Sequence, residues 1–214
     1  MSAYVNDEGE FVKFFGTTIM AGIKNKQDLL PIMSVLKRIP DVKIVSDLHL
    51  KICDVFSQTL ASFNSDSCLA IDKWFKENHR TYTPYSLLDC KAILTYHYEA
   101  KEVIKAIFPQ DFEISYKTCI QIRNNKVVLH FEFIKDHENR FKEIVKSCNK
   151  IYGIRRGLTK YIVLGYIRRT PFEFNKEQLN LLNSLIPRKI YINYPDVYHY
   201  STIDRYHLYS EALY

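Results

Sequence analysis

The sequence predicts an α+β fold built from two similar halves. A strand–helix–strand unit occurs twice, first over residues 16–52 and again over residues 126–166. The chain contains 16 Tyr and 13 Phe, residue types that are enriched in strands. Its composition, 47% hydrophobic and 25% charged, is that of an ordinary globular protein. Two related units side by side offer a cleft, and the residues at equivalent strand positions determine its chemistry.

The length of 214 residues fits one large domain or two small ones. No low-complexity segment or long flexible linker interrupts the chain. We therefore predict a single bilobal domain over residues 1–214, with lobe one at about 14–110 and lobe two at about 111–214.

Hydrophobic periodicity assigns the individual elements. Apolar residues at helical spacing predict helices at 26–39, 67–78, 86–108, 136–152 and 175–185. Strands are predicted at 16–23, 43–53, 112–123, 126–134, 160–167, 188–194 and 205–209. The residues expected to define boundaries are the helix caps Asn25, Asp136 and Asn175, the first-turn Pro31, the hairpin turn Asn124–Asn125 and the terminating Gly153.

The cysteines and the start of the chain indicate a compartment. Five cysteines are scattered without a CxxC pair, and no histidine sits at metal-ligand spacing from one of them. The N-terminal residues contain no apolar segment of signal-peptide length, and no run approaches the ~20 apolar residues of a membrane span. We expect a soluble protein of the cytoplasm or nucleus with reduced thiols, no cofactor, no metal and no membrane partner.

Positive charge is concentrated in the second half of the chain. The net charge is +6, yet residues 1–114 carry 13 Lys/Arg against 15 Asp/Glu, whereas residues 115–214 carry 17 against 9. Arg155, Arg156 and Lys160 belong to the basic half. Such clustering predicts a phosphate-facing patch, and the alternative is a solvated basic face without a partner.

The order of elements resembles the 2H phosphoesterase superfamily, which includes RNA cyclic phosphodiesterases and 2′,5′-phosphodiesterases. The stretches SDLHLKI at 46–52 and YIVLGY at 161–166 resemble the two motif strands of that family. FEISYKTCIQIRNNKVVLHFEF resembles the hairpin between them, and RKIYINYPDVYHYSTIDRYHLYSEAL resembles the closing strands. The resemblance implies a bilobal, pseudo-twofold fold in which two antiparallel sheets line a cleft and helices lie outside.

The family motif, His-x-Thr or His-x-Ser on each motif strand, is kept at one position of four. His49 matches the first histidine, while Lys51 replaces its hydroxyl partner. Tyr161 stands in place of the second histidine, and Val163 in place of the second hydroxyl. In the family the histidines transfer protons, which suits a pKa of about 6.5, and the hydroxyls bind phosphate oxygens. Lys51 retains a charge for phosphate, but a tyrosine with a pKa of about 10 is a poor base.

His130 is a candidate replacement for the missing histidine. It lies on the strand beside the second motif strand in the family's layout. If it faces the cleft, His49, His130 and Tyr161 form a rebuilt catalytic group; otherwise His130 is a buried, hydrogen-bonded histidine. His49 likewise has an alternative position on the outer face of a half-exposed strand.

Three functions follow from these observations. The expected one is a 2H-phosphoesterase-like pseudoenzyme that binds RNA or a nucleotide in a basic cleft through Lys51, Lys160, Arg155 and Arg156, without phosphodiesterase turnover. The second is an active 2′,3′-cyclic or 2′,5′ phosphodiesterase with a rebuilt site. The third is a protein-interaction module on the same fold, for example a viral accessory protein with a protein partner.

Overall fold

A computed structural model describes residues 5, 6, 8–11, 13–59, 90–108, 112–114, 118–202 and 205–208. Ten strands are present in these ranges: β1 Lys13–Gly22, β2 Val42–Ile44, β3 His49–Thr59, β4 Phe112–Ile114, β5 Cys119–Arg123, β6 Lys126–His130, β7 Tyr161–Ile167, β8 Ile190–Ile192, β9 Asp196–Thr202 and β10 Arg205–Leu208. Four α-helices accompany them: α1 Leu30–Lys37, α2 Cys90–Ile107, α3 Lys135–Ile151 and α4 Lys176–Ser184. The predicted α+β class is confirmed.

Most of the described strands form one antiparallel sheet. Seven run in the order β10-β9-β1-β3-β7-β6-β5, and β2 pairs with β7 as the eighth. A separate two-stranded sheet joins β4 to β8. The strands of the two predicted repeats thus meet inside a single sheet, because β3 and β7 are neighbours. The bilobal division stays a prediction.

The first motif strand begins later than predicted. The expected strand at 43–53 is two strands, β2 and β3, and both pair with β7. Residues 45–48 interrupt them, and the N–H of Val45 still donates to the carbonyl of Leu164. The interruption leaves His49 as the first residue of β3.

Helix α3 supplies much of the described core through one apolar face. Phe141, Ile144, Val145 and Cys148 are buried along it, as the helical spacing predicts. The Phe141 ring lies 4.9 Å from that of Phe108 and 4.7 Å from that of Phe133, measured between centroids. The helix packs against α2 and β3 and covers one face of the sheet. The motif side chains described below belong to the other face.

Several predicted boundary residues are confirmed. Pro31 lies in the first turn of α1, and Gly153 with φ 59° follows α3. Asn175 forms a capping box with Gln178 at the start of α4. Asn124 and Asn125 both have positive φ, 49° and 60°, as a two-residue hairpin turn requires.

Other boundaries differ from the prediction. The predicted helix at 26–39 opens with a 3-10 turn, Lys26–Leu29, and Asn25 does not cap it, because its side chain binds Asp28, Lys189 and Tyr191. Helix α3 begins after Ile134, so Asp136 lies inside the first turn instead of capping it. Strand β9 was not predicted. The helix predicted at 67–78 lies outside the described residues.

Gly165 lies where β2 pairs closely with β7, and a larger residue does not fit there. A Cβ at this position would lie 2.8 Å from the carbonyl oxygen of Lys43 and 3.1 Å from Cγ1 of Val42. We expect Gly165→Ala to lower the free energy of unfolding by roughly 1–3 kcal/mol, as overpacking does, since backbone cannot move aside cheaply. Gly157→Ala is the matched control because no atom lies within 4 Å of its Cβ. Equal urea midpoints for the two variants would contradict this explanation.

Candidate functional site

The four motif positions lie together on one face of the sheet. In the β3–β7 pair, Leu50 opposes Ile162 and Lys51 opposes Tyr161. Continuing the register by one residue sets His49 opposite Val163. Directly opposed side chains of an antiparallel pair share a face. His49, Lys51, Tyr161 and Val163 therefore form a two-by-two group, which we call the motif block. β3 and β7 are the equivalent strands of the two predicted strand–helix–strand units.

His49 is buried in an aromatic environment. Only 8% of the residue is exposed, and its ring lies 5.1 Å from that of Tyr198 and 5.2 Å from that of Tyr206. Nε2 lies 3.6 Å from Oδ2 of Asp47, which also pairs with Lys26. Nδ1 has no hydrogen-bond partner within the part of the chain that the structure describes. Burial lowers the pKa of His49 to about 4 against the opposing effect of Asp47, so the imidazole is neutral at pH 7.

Cations lie in and beside the motif block. Lys51 is 5% exposed, and its Nζ lies 2.6 Å from Oδ1 of Asp54. The guanidinium of Arg123 lies 5.7 Å from the centroid of the Tyr161 ring. Lys126, which is 9% exposed, lies opposite Arg123 in the backbone register at the turn end of the β5–β6 hairpin. We call Lys51, Arg123 and Lys126 the cation cluster.

Electrostatics link the members of the cation cluster. Burial lowers the pKa of Lys126 to about 8, and the charge of Lys51 lowers it further. Asp54 raises this pKa, but by less than Lys51 lowers it, and Arg123 adds a further lowering. Positive charge therefore exceeds negative charge among these four groups around Lys126, an arrangement that attracts an anion.

His130 stands beside the motif block. It opposes Tyr161 across the β6–β7 pair and Cys119 across the β5–β6 pair. It is half-buried. Burial first, and then the charges of Arg123 and Lys160, lower its pKa, whereas Glu132 raises it. His49 and His130 are separated by strand β7, which places Tyr161 next to His130 in the sheet.

Three predicted binding residues lie outside the cation cluster. Lys160 directs its Nζ to Oε1 of Glu138 on α3, 2.8 Å away. Arg155 and Arg156 are exposed in the loop after α3, where the N–H of Arg156 donates to Oδ1 of Asn149. Neither arginine side chain forms an ion pair with the residues described. Their clustering in the sequence predicted that all three lie beside the cleft. The sequence could not show that Lys160 forms an ion pair with Glu138 on α3.

Sequence reasoning missed Arg123, which lies over the Tyr161 ring, and Lys126, which opposes Arg123 across the β5–β6 hairpin. A signal for them was present: both flank the Asn124–Asn125 turn, and Lys126 lies four residues, an even spacing, before His130. Once the hairpin register is known, that spacing places Lys126 on the face of His130 and Tyr161, and Arg123 shares this face because it opposes Lys126.

Neither a cluster of metal-ligand side chains nor a membrane-spanning helix is found among the described residues. Within these ranges no three His, Cys, Asp or Glu side chains converge as metal ligands. His97 is buried and its Nδ1 lies 2.6 Å from the hydroxyl of Tyr152. None of the helices described combines the length and the apolar character needed to traverse a bilayer.

The space beside His49 limits the chemistry of the motif block. The cavity there has a volume of about 10 Å³, enough for about one water molecule. It is lined by Met20, Val45, Asp47, His49, Lys51, Val163 and Tyr206. A phosphoryl group does not fit against the imidazole in this arrangement. The cation cluster is more open, because Arg123 is exposed at its edge.

Burial of a neutral His49 predicts a loss of stability in acid. The unfolded imidazole takes up a proton as pH falls through about 6.5, while the folded one resists until about 4. Stability is therefore fully present above 6.5 and decreases by up to about 3 kcal/mol as pH falls to 4. Urea unfolding at pH 7 and pH 4.5 should show a smaller pH dependence for His49→Gln than for the wild type. Identical pH dependences would contradict the neutral, buried state.

Comparisons with known proteins show a similarity of fold. No protein-family model matches the chain, and no curated protein matches it. A crystal structure of ATU0111, a conserved protein of unknown function from Agrobacterium tumefaciens, is similar with a TM-score of 0.56. The match has 16% sequence identity and covers 97% of this chain and 90% of that chain. At this identity the likeness concerns the fold alone.

Proposed function

We propose that this chain is a 2H-phosphoesterase-like protein that binds RNA or a nucleotide through its cation cluster, without phosphodiesterase turnover. The observation that carries the proposal is that Lys51 opposes Tyr161, that Arg123 lies over the Tyr161 ring, and that Lys126 opposes Arg123 across the β5–β6 hairpin. The family's motif strands bind phosphate at the corresponding place. The bilobal form of the fold is part of the same proposal.

Phosphate is the anion that this cluster suits best. Arginine presents a planar fork that binds two phosphate oxygens, and lysine acts as a point charge. Partial burial strengthens both interactions because water screens them less. The cluster opens to solvent at Arg123 and Asp54, so a ligand can approach from that side.

Among the described residues, the motif block holds no pair of histidines for turnover. Proton transfer in both directions requires a base and an acid placed on opposite sides of the reacting phosphate. The neutral His49 is enclosed by Tyr198 and Tyr206, and its cavity holds only about one water. Val163 can neither donate nor accept a proton. Lys51 and Val163 together remove both hydroxyls of the motif.

The test combines binding with product analysis. A labelled single-stranded RNA is titrated with the protein at several salt concentrations, and the recovered RNA is examined for cleavage. A 2′,3′-cyclic-phosphate RNA and a 2′,5′-oligoadenylate are included. We expect binding that weakens linearly in log–log form with salt, and intact RNA. Absence of binding would refute the proposal, whereas cleavage abolished by His49→Ala would establish an enzyme instead.

One observation favours a second candidate, a protein-interaction function. An open groove of about 370 Å³ runs beside β5, an outer strand of the sheet. Ile120, Ile122, Phe174 and Leu179 line it with Gln121 and Glu173. An extended peptide with apolar residues and one basic residue opposite Glu173 suits such a groove. Peptide binding that persists at high salt and is lost in Ile122→Glu would support this candidate.

A further inference from the structure

We propose that the groove beside β5 binds an extended peptide by strand addition, with a basic residue placed two positions before an aliphatic one. This inference rests on the protein-interaction candidate and specifies the backbone contact, the direction and the side chains of the partner. It is independent of the cation cluster and of RNA binding. Two features of the groove carry it: the direction of the β5 backbone groups and the course of α4 beside them.

The outer edge of β5 presents backbone groups toward the groove. β5 ends the sheet among the described strands, and the N–H of Ile120 donates to Oδ1 of Asn183 on α4, 2.9 Å away. This N–H therefore points away from β6. Along an antiparallel strand the N–H and C=O groups of successive residues point to alternate sides, so those of Ile122 point outward as well. One residue of an antiparallel peptide can exchange both hydrogen bonds with Ile122.

Helix α4 closes one end of the groove. Asn183, near the end of α4, holds the N–H of Ile120, whereas Leu179 and Phe174 line the groove farther back along the chain. The groove therefore extends from this closed end toward Ile122 and the hairpin turn. Its volume of about 370 Å³ is at the lower end of the ~300–1,000 Å³ of ligand sites, so it admits a segment of a few residues. Edge-to-edge pairing with a second copy is disfavoured, because it needs the N–H that Asn183 already binds.

Side-chain direction determines which peptide residue is aliphatic. Directly opposed residues of an antiparallel pair share a face, so the residue opposite Ile122 directs its side chain to the face of Ile122. On that face Ile120, Phe174 and Leu179 supply the apolar lining of the groove. An aliphatic side chain at this position buries apolar area, which stabilises the complex.

Charge determines the second side chain. Glu173 is exposed and lines the groove, and Glu177 is exposed in the first turn of α4. Both carboxylates lie toward the start of α4, away from the closed end at Asn183. Residues two apart in a strand share a face, and an antiparallel peptide runs from the turn end of β5 toward Asn183. The basic residue that reaches the carboxylates therefore comes two positions before the aliphatic one. The same carboxylates disfavour nucleic acid in this groove.

The experiment uses the peptide acetyl-Thr-Lys-Thr-Ile-Thr-amide and two N-methylated forms of it. In the paired register the N–H of the peptide isoleucine faces β5, while the N–H of the threonine before it faces away. Methylation of the isoleucine nitrogen should weaken binding about tenfold, whereas methylation of that threonine nitrogen should change it by less than about twofold. Titration followed by amide NMR measures the dissociation constants. The N–H of Ile122 should exchange with solvent more slowly in the complex, and that of Gln121, which faces β6, should not change.

The order of the side chains and their charge have matched controls. The exchanged peptide acetyl-Thr-Ile-Thr-Lys-Thr-amide should bind more weakly than the original. Glu173→Gln should weaken binding of the original peptide about two- to fivefold, as loss of an exposed ion pair does, whereas Glu143→Gln, an exposed position on α3, should not. Equal effects of the two methylations, equal binding of the exchanged peptide or absence of binding up to about 1 mM would each overturn the inference. None of these results alters RNA binding, which is measured separately and tests the first function.

Discussion

Phe141→Ala is expected to lower the free energy of unfolding by about 3–5 kcal/mol, the usual cost of truncating a fully buried phenylalanine. Phe141 is 0% exposed, and its ring contacts those of Phe108 and Phe133 from its place on α3. These contacts join the end of α2 and the segment after β6 to the helix. The substitution leaves a cavity that no exposed side chain can fill. Aromatic pairs add roughly 0.5–1.5 kcal/mol beyond the area that they bury.

Leu181→Ala on α4 provides the control for Phe141. It removes a large apolar side chain from a helix, but Leu181 is 49% exposed. We expect its effect on the free energy of unfolding to stay within about 0.5 kcal/mol. Chemical denaturation monitored by circular dichroism measures both variants. A loss below 1 kcal/mol for Phe141→Ala would show that α3 does not anchor the core as described.

Arg123→Glu is expected to weaken RNA binding at least roughly tenfold and to reduce the salt dependence by about one phosphate contact. The substitution places a carboxylate above the Tyr161 ring and beside Lys126, where the anion is proposed to bind. Because Arg123 is exposed on an outer strand, folding should be preserved. The salt slope distinguishes a lost phosphate contact from general unfolding.

Lys146→Glu tests whether net charge alone explains that loss. It produces the same change of charge on the exposed side of α3, away from the motif block. We expect little change in affinity, since exposed charges more than about 10 Å apart are largely screened at moderate salt. Equal weakening by Arg123→Glu and Lys146→Glu would mean that the whole basic half binds the nucleic acid nonspecifically.

Periodicity predicted much of the fold because helices and turns are determined locally. The stripe of α3, the capping box at Asn175 and the Asn124–Asn125 turn all depend on residues close in sequence. The break between β2 and β3 was missed because the run from Lys43 to Cys53 remains apolar enough for one strand. Strand β9 was missed because its sequence, DVYHYST, has polar and aromatic residues without an apolar face.

The candidate site shows the same division between local and distant information. His49, Lys51, Tyr161 and Val163 were found because each lies within a recognisable strand, and the structure places them side by side. The cation cluster depends on the register of β5, β6 and β7, which sequence alone does not specify. Arg155, Arg156 and Lys160 were selected for their spacing along the chain, but only the fold shows that Lys160 pairs with Glu138.

The most direct test of the central claim is the pKa of the Lys126 ε-amine, measured by NMR with and without a bound oligonucleotide. The free protein should give a value near 8, because burial and Lys51 disfavour the charged form. A phosphate bound in the cation cluster favours the charged form, so the pKa should rise on binding. An oligonucleotide that binds while the pKa of Lys126 stays unchanged would contradict the proposed location.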